Sequence, residues 1–428
     1  MSSSRQSRIR LNGENNVLDD QVSIAKVCVA GLPSYGDEMI PGTNIDARDV
    51  LMIRPDLRSL KILPYAHHSA MVLGTLHDQR TGALSPFCPK GLLERVLETV
   101  ETKLGIGFAV GVEIEFCLVK SSTGQYESAC KMEKLSAPDT SLFAGTTTLN
   151  DQQEFVSDLY QSLEKQMIDI ETIHAESAMG QMEVVLAYDY DVMRLANHVV
   201  LARESIKACA KQHGLRASFL PKIYDNQAGN GMHVHLSLRN TNLYDSNTFV
   251  NTFSGVSPFS ISPIGQSFIE GILTHLEGLI SLTMPTSNSF KRVGKGCWTG
   301  HFIGWDIEEK EVPLRVCLDS ETHKATNVEL KLVDNTCNIY LALSSILWSG
   351  VDGIRQHMIL RQKNGSKKLP HTFESSLLHL ENSTLFQGLL GKDLLTSYIA
   401  VKRAEIRYNN NLNPSISVDD FILNDIMK

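Results

Sequence analysis

Apolar and polar residues alternate along four segments of the chain, a pattern typical of β-strands that have one polar face. These segments cover residues 112–118, 176–185, 232–237 and 327–332. Successive side chains of a strand point to opposite faces, so the polar residues of each segment are predicted to lie together on one side. In the second segment, a turn near Gly180 would bring both ends to that same side.

Other stretches have apolar residues three or four positions apart and predict amphipathic helices. One such helix is predicted at 90–97, and the last third of the chain is predicted to be mainly helical, over 339–355 and 375–409. Another helix is predicted to begin after a cap at Asn150. Its buried face would contain four residues at four-residue spacing, namely Phe155, Leu159, Leu163 and Met167.

The distribution of these elements predicts an α+β fold with two domains. Residues 1–100 have the pattern of short strands and loops that end in a helix, which predicts a small first domain. Residues 101–428 alternate strands with long helices, which predicts a larger second domain. A chain of 428 residues is also too long for one simple core, which favours this division.

Composition argues against several classes of protein. Hydrophobic residues make up 42% and charged residues 21% of the chain, as in globular rather than disordered or fibrous proteins. A net charge of −8 argues against nucleic-acid and anionic-membrane partners, because both require a basic surface. Eight scattered cysteines lack the spacing of a zinc site or a disulfide framework. Without an apolar signal segment or an uncharged run long enough to span a bilayer, a cytoplasmic location is expected.

The polar faces of the four predicted strands carry residues that can bind metal ions. They are Glu113 and Glu115, Glu176 and Glu183, His233 and His235 with Ser237, and Glu329 with Lys331. One such pair alone is more often the solvent-facing side of a strand, but four in one domain weaken that explanation. If the faces converge, two carboxylates about 4 Å apart repel by about 4 kcal/mol at an effective dielectric constant of about 20. Five carboxylates would exceed the roughly 5–15 kcal/mol that stabilises a domain, so cations or protonation must relieve the repulsion.

Metal ions explain this set better than protonation does. Many carboxylates with few imidazoles suit Mg²⁺ or Mn²⁺, whereas zinc more often recruits additional histidine or cysteine. Two ions with three protein ligands each would leave coordination positions open for phosphate oxygens. The His-x-His pair at 233 and 235 alone would also suit a two-metal hydrolase, but the excess of carboxylates disfavours that interpretation.

Several motifs resemble those of the glutamine synthetase family, and they follow the family's order between about residues 45 and 410. They include Gly-Val-Glu-Ile-Glu-Phe at 111–116, the segment 176–183, Gly-Asn-Gly-Met-His-Val-His-Leu-Ser at 229–237, Pro-Thr-Ser-Asn-Ser-Phe-Lys-Arg at 285–292, and Glu329 followed by Asn-Ile-Tyr-Leu at 338–341. The resemblance implies a small β-grasp-like first domain, incompletely matched here, and a catalytic domain with a curved antiparallel sheet and flanking helices. It also implies ATP-dependent amide formation through an acyl phosphate.

The resemblance further implies a role for each residue of the candidate site. One metal ion would be bound by Glu115, Glu176 and Glu183, and a second by Glu113, His233 and Glu329. His235, Ser237 and Lys310 would contact the nucleotide, and Gly229, Trp298 and Lys331 would line the substrate site. Arg292 and Arg315 would be catalytic, because an arginine fork binds carboxylate and phosphate oxygens bidentately.

The chain departs from the family pattern at the amine site and at three arginines. Glutamine-forming members have a glutamate that takes a proton from bound ammonium, and this chain has Trp298 there. An indole cannot accept that proton, but it can close a pocket around an apolar or cationic amine. The alternative is that Trp298 is an ordinary packing residue. Ala228 replaces an asparagine before Gly229, and Lys310, Asn327 and Lys331 replace arginines.

The resemblance also implies an assembly, a ring of ten or twelve identical subunits with active sites between neighbours. In the family, the first domain supplies an aspartate to the adjacent subunit. Asp37 is the candidate for that residue, although residues 1–30 have no clear counterpart. A homo-oligomer with small-molecule substrates is therefore expected.

The sequence thus predicts an ATP-dependent carboxylate–amine ligase that uses two Mg²⁺ or Mn²⁺ ions per site. Its changes, apart from Asn327, resemble those of the FluG-type and γ-glutamyl-amine ligase branches, so an amine other than ammonia is expected. The alternatives are a true glutamine synthetase and a catalytically weak scaffold or signalling protein with the same fold. The six intact metal-ligand positions favour an enzyme, and the lost arginines favour the scaffold.

Overall fold

The computed structural model describes residues 22–120, 137–138, 143–241, 253–257, 259–363 and 365–411. Within these ranges the helices are α1 (Lys26–Ala30), α2 (Pro89–Leu104), α3 (Thr146–Asp151), α4 (Gln153–Lys165), α5 (Val192–Gln212), α6 (Pro263–Thr283), α7 (Ile339–Arg355), α8 (Phe373–Asn382) and α9 (Thr384–Asn411). The strands are β1 (Val22–Ala25), β2 (Val50–Pro55), β3 (Lys61–Ile62), β4 (Ala70–Met71), β5 (Gly74–Asp78), β6 (Ile106–Lys120), β7 (Ile170–Ala175), β8 (Gln181–Asp189), β9 (Leu215–Ser218), β10 (Val234–Asn240), β11 (Trp305–Ile307), β12 (Leu314–Leu318) and β13 (Ala325–Leu330).

A large sheet organises the second domain. Its order is β11-β12-β13-β10-β6-β8-β7, and β9 pairs with the far end of β6. The pairings are antiparallel except that of β11 with β12, which is parallel. The 15-residue strand β6 lies between β8 and β10, and so it brings segments from distant parts of the chain together.

The alternation along β6 determines which face of the sheet is covered. Val112, Ile114 and Phe116 are fully buried and belong to the main hydrophobic core, which the helices complete. Burial of each such side chain contributes about 1.5–3 kcal/mol. A one-residue slip of the strand would place Glu113 and Glu115 in that core, so the register is strongly specified.

The core helices begin at residues that suit a helix start. The Ser262 hydroxyl accepts the Gly265 N–H at the start of α6, and Pro263 occupies the first turn. Asn338 caps α7 in the same way, by accepting the Leu341 N–H. Helices α6 and α7 pack against each other, and α2 packs against α7 and β6. This layer supports the sheet from the side opposite the candidate site.

The N-terminal part forms a smaller three-stranded antiparallel sheet of order β1-β2-β5. It is attached to the C-terminal helix α9, because the Ser397 hydroxyl donates to the carbonyl of Ala30 and the Ser34 N–H donates to Glu405, 2.8 Å away. The predicted fold, a large sheet with flanking helices and a small N-terminal unit, is confirmed. Helix α2 continues past residue 100, so the domain division at that residue stays a prediction.

Several predicted elements are found, and one helix differs in detail. The predicted helices at 90–97 and 339–355 lie within α2 and α7, and 375–409 falls in α8 and α9. In α4, Phe155, Leu159 and Leu163 are buried as predicted. Met167, however, is 70% exposed, because α4 ends at Lys165 and Met167 adopts a left-handed backbone with φ of 53°. The predicted cap at Asn150 is also wrong, because that residue lies inside α3.

Two further observations concern the described residues as a group. Their helices include none that combines the length and the apolarity needed to cross a membrane. Their seven cysteines are all free thiols.

Lys90 connects the two parts of the structure and provides a test of their association. It is 5% exposed, and its ammonium lies 3.0 Å from Asp56 beyond β2 and 3.0 Å from the Asn197 side-chain oxygen in α5. We expect Lys90→Met to lower the free energy of unfolding by about 2 kcal/mol, because a buried charged hydrogen bond is lost and Asp56 keeps only Arg58 as an ion-pair partner. Urea denaturation measures this loss. Lys103→Met, on the exposed face of the same helix, is the control, and equal stability of the two variants would contradict the assignment.

Candidate active site

Cross-strand register places two carboxylates and an imidazole in one row. Glu115 of β6 pairs opposite Glu183 of β8, and Glu183 pairs opposite His174 of β7. The His174 Nε2 atom lies 3.1 Å from Glu183, and its Nδ1 atom lies 3.9 Å from Glu176. The hydrogen bond to Glu183 raises the pKa of His174 to about 9. Gly180, with φ of 65°, forms the turn that brings Glu176 back beside Glu183, as predicted.

A second row crosses β13 and β10. Glu329 of β13 pairs opposite His235 of β10 on one side and opposite Arg315 of β12 on the other. His233 precedes β10, and its Nδ1 atom lies 2.9 Å from Glu113 and 3.3 Å from Glu329. The predicted convergence of the four polar faces is therefore present in the structure.

Glu329 is 1% exposed and lies between two cationic side chains. The Lys331 ammonium is 2.9 Å from one of its oxygens, and the Arg315 Nε atom is 2.5 Å from the other. Burial alone would raise the pKa of Glu329, but His233 and these cations lower it to about 2. The carboxylate is thus held ionised and fixed in direction.

The remaining carboxylates are less well compensated. Burial, together with nearby carboxylates, raises the pKa of Glu115 and of Glu176. His233 is buried, which works against its protonation, yet Glu115, Glu113 and Glu329 together raise its pKa. This chemistry fits bound divalent cations, because such ions would stabilise the ionised carboxylates in place of protons.

Three groups of potential metal ligands occur in the described parts of the chain. They are Glu113 with Glu183 and His233, Glu113 with His235 and Glu329, and His174 with Glu176 and Glu183. Within each group the ligand atoms lie within 4.8 Å of one another. All six predicted ligands are brought to the site, since Glu115 lies 3.6 Å from His233, but the division into two sets of three stays a prediction.

His174 is a site residue that the sequence reasoning missed. It precedes Glu176 by two positions on β7, so the period-two rule that identified the other pairs applies to it as well. Its hydrogen bond orients Glu183, and its ring also lies near Glu176.

Arg292 is buried beside the candidate site, with only 3% of its surface exposed. Its guanidinium donates to the backbone carbonyls of Lys331 and Val333, each 3.2 Å away. Glycine is required beside it, because a Cβ atom at Gly229 would lie 2.4 Å from the Pro221 carbonyl oxygen and one at Gly231 would lie 2.6 Å from the Arg292 guanidinium. Arg292 thus anchors the backbone beyond β13.

The residues predicted to bind nucleotide lie in different surroundings. His235 Nε2 is 3.0 Å from Glu113, and its Nδ1 atom is 2.9 Å from the Asn327 side-chain oxygen. Ser237 is buried two residues further along β10, opposite Ala109. Lys310 is exposed in the loop between β11 and β12. Their contact with a nucleotide stays a prediction.

Trp298 lies in a loop that starts at Arg292 and closes by pairing of Gly294 with Gly300. Its side chain is 53% exposed, so Trp298 is not part of the buried core, and its role in the site stays a prediction. Its φ of 59° is in the left-handed region, which costs a non-glycine residue roughly 1–2 kcal/mol. The Glu311 carboxylate accepts the N–H groups of Trp298, 2.9 Å away, and Gly296, 3.2 Å away.

Comparison with known proteins agrees with this geometry. The model of the glutamine synthetase catalytic domain matches residues 86–417. The type-1 glutamine synthetase 1 of Dictyostelium discoideum is 30% identical, over 96% of this chain and 84% of that protein. The gamma-glutamylpolyamine synthetase of Streptomyces coelicolor is 29% identical, over 86% and 80%.

A solved structure supports the same relationship. A crystal structure described as a novel glutamine synthase homolog superimposes with a TM-score of 0.79 at 25% identity, over 96% of this chain and 92% of the other. The family match covers the converging strands β6, β7, β8, β10, β12 and β13. The chain therefore belongs to the glutamine synthetase family, whose members are ATP-dependent ligases that form C–N bonds.

Proposed function

We propose that this chain forms a γ-glutamyl amide from glutamate, or a related acid, and an amine other than ammonia. The observation that carries the proposal is Trp298, which occupies the position of the proton-accepting glutamate in glutamine-forming members. Its exposed ring stands on a loop whose base, Arg292, donates to the backbone of Lys331 at the site. An organic amine has apolar or cationic surface that an indole can cover, and ammonia offers almost none.

Glu311 does not replace the missing proton acceptor. It is in contact with the Trp298 loop, but both of its oxygens already accept backbone N–H groups. Both oxygens are thus committed to the backbone of the loop. This supports an amine site that selects its substrate by shape rather than by proton abstraction from ammonium.

The proposed reaction has two steps. The acid's γ-carboxylate attacks the terminal phosphorus of ATP, which gives an acyl phosphate and ADP. The amine nitrogen then attacks the acyl carbon, the bond between that carbon and the phosphate oxygen breaks, and the proton lost by nitrogen ends on the released phosphate, which leaves the amide. Arg315 and Lys331 face the site and would stabilise the oxyanions, because a fixed cation interacts most strongly with charge that develops during the reaction.

We propose that two Mg²⁺ or Mn²⁺ ions are held by the six carboxylate and imidazole ligands, Glu115, Glu176 and Glu183 for one and Glu113, His233 and Glu329 for the other. When bound, they would neutralise phosphate charge. His235, Ser237 and Lys310 would bind the nucleotide. We assign Arg292 a positioning role, because its guanidinium is committed to backbone carbonyls.

Family members are typically oligomeric, and we propose a homo-oligomeric ring in which Asp37 reaches the neighbouring active site. Within its own chain, Asp37 lines a cleft of about 640 Å³ with Arg407 and Tyr408 of α9. Asp37 is exposed there, so a residue of another subunit could approach it.

Glutamine synthesis is the alternative that the comparisons leave open. A type-1 glutamine synthetase and a gamma-glutamylpolyamine synthetase match this chain at 30% and 29% identity, so overall similarity does not separate the two activities. The replaced arginines, Lys310, Asn327 and Lys331, keep a weakly active scaffold as a third possibility.

Amine preference is the first prediction. The purified protein is incubated with ATP, Mg²⁺ or Mn²⁺ and glutamate, and with ammonium chloride, ethanolamine, spermidine or benzylamine in turn. We expect kcat/KM for at least one organic amine to exceed that for ammonia by roughly tenfold or more, the discrimination that a shaped apolar pocket provides. Phosphate release and γ-glutamyl product are both measured. Preference for ammonia would establish glutamine synthesis instead, and ATP binding without turnover would favour the scaffold.

Trp298→Ala is expected to lower kcat/KM for the preferred organic amine by about tenfold while the KM for ATP changes little, because the ring covers the amine alone. The matched control is Tyr160→Ala, which removes another aromatic ring with 50% exposure, from α4. Equal amine kinetics in the two variants would argue against a role for Trp298.

Metal binding is tested by stability rather than activity. Mn²⁺ at about 100 times its dissociation constant should stabilise the wild-type protein by about 2.7 kcal/mol. Glu115→Gln should match or exceed wild-type stability without metal, because it removes a buried charge, but it should lose most of the stabilisation by Mn²⁺. Thermal unfolding with Mn²⁺ and with EDTA measures both effects. Glu171→Gln, an exposed position on β7, is the control, and an unchanged Mn²⁺ effect in Glu115→Gln would contradict the assignment.

A further inference from the structure

The loop that carries Trp298 is anchored at both of its ends. At its base, the Thr299 hydroxyl donates to the carbonyl of Arg292, 3.3 Å away, so the start and the end of the loop are joined. At its tip, the N–H groups of Gly296 and Trp298 both donate to the Glu311 carboxylate. Residues 297 and 299–300 are at least partly buried, whereas the ring of Trp298 is 53% exposed. The backbone of the loop is therefore fixed although its aromatic ring is accessible.

The conformation of Trp298 requires such an anchor. Its φ of 59° is unfavourable for a residue with a side chain, and with 53% of the side chain exposed the ring is only partly buried. A carboxylate that accepts two neighbouring N–H groups is a strong, charge-assisted acceptor. The Glu311 contact thus selects the backbone conformation that directs the indole outward from the loop.

Glu311 is also connected to the candidate site along the chain. Two residues later, the Pro313 carbonyl accepts the N–H of Lys331, 3.0 Å away, and Lys331 binds Glu329. Close packing reinforces this connection, because a Cβ atom at Gly300 would lie 2.7 Å from the Glu311 carbonyl oxygen. Glu311, at the start of this segment, therefore contacts the Trp298 loop, and Pro313, at its end, contacts Lys331 of the candidate site.

We propose that Glu311 is the positioning residue that sets amine specificity, by holding the Trp298 ring at the mouth of the site. The inference rests on the proposed function, since it names what fixes the residue that the amine meets. Amines with an apolar or cationic body would benefit from a fixed ring, because an immobilised aromatic surface loses little entropy when it binds. Release of the loop would weaken the binding of such amines and leave ATP binding unchanged.

The first test compares Glu311→Ala and Glu311→Gln with wild-type protein. With spermidine, benzylamine and ethanolamine as probes, Glu311→Ala should raise the KM of the preferred amine by roughly tenfold, about the loss of one charge-assisted contact. The kcat and the KM for ATP should stay within about twofold of wild type, since the catalytic groups are untouched. Glu311→Gln keeps one acceptor oxygen and should recover part of the affinity. Glu321→Ala, which removes an exposed carboxylate in the turn before β13, is the charge-matched control.

The second test reports on the loop itself and does not depend on which amine is used. Trp298 is one of three tryptophans, and the Trp298→Phe variant isolates its fluorescence by difference from that of Trp305 and Trp348. In Glu311→Ala, the fast component of the anisotropy decay of Trp298 should increase roughly twofold in amplitude, because the freed loop moves on the nanosecond timescale.

The outcomes separate the two proposals. A mobile Trp298 together with a raised amine KM supports the positioning role. A mobile Trp298 with an unchanged amine KM, or a rigid Trp298 in Glu311→Ala, overturns it. If the wild-type protein prefers ammonia, the proposed function fails and the assignment of Glu311 to amine specificity falls with it, whereas the anisotropy still shows whether Glu311 holds the loop.

Discussion

Crowding of negative charge on one face of the central sheet is the constraint on which the rest of the structure depends. Glu113, Glu115, Glu176, Glu183 and Glu329 share this face, and most are removed from water. Their mutual repulsion has to be offset by other charges, because each partly desolvated pair costs several kcal/mol. Arg315, Lys331 and the imidazoles of His174, His233 and His235 provide part of that compensation. The negative charge that these groups leave uncompensated explains why this arrangement suits divalent cations.

The hydrophobic core makes this crowding possible. The buried residues of β6 hold the carboxylates of the alternate positions in place, since exchanging the two faces would put both glutamates among apolar side chains. Helices α2 and α5 pack against β6, and the site face carries the polar groups. One face of the sheet therefore contributes to the hydrophobic core and the other carries the candidate site. Strand β6 has residues on both faces.

Much of this arrangement is predictable from the sequence, for physical reasons that also explain the failures. The polar faces of β6, β8, β10 and β13 follow from a period of two, which depends only on backbone geometry. The same rule would have identified His174, which lies two residues before Glu176. The end of α4 before Met167 was not predictable, because a left-handed residue after a helix has no signal in an apolar pattern. Nor was the Glu311 contact, because it joins two loops and involves backbone N–H groups that no sequence motif reveals.

The order of the strands has a consequence for how the chain is made. Glu113, Glu115, Glu176 and Glu183 lie in the first half of the chain, whereas Arg292, Arg315 and Lys331 all lie in the second. During synthesis, β6, β7 and β8 can pair with one another well before β12 and β13 leave the ribosome. The nascent sheet then exposes four carboxylates without their later basic partners. Completion of the sheet depends on contacts between segments about 100 or more residues apart, which fold slowly, and ions present during translation would stabilise the unfinished sheet.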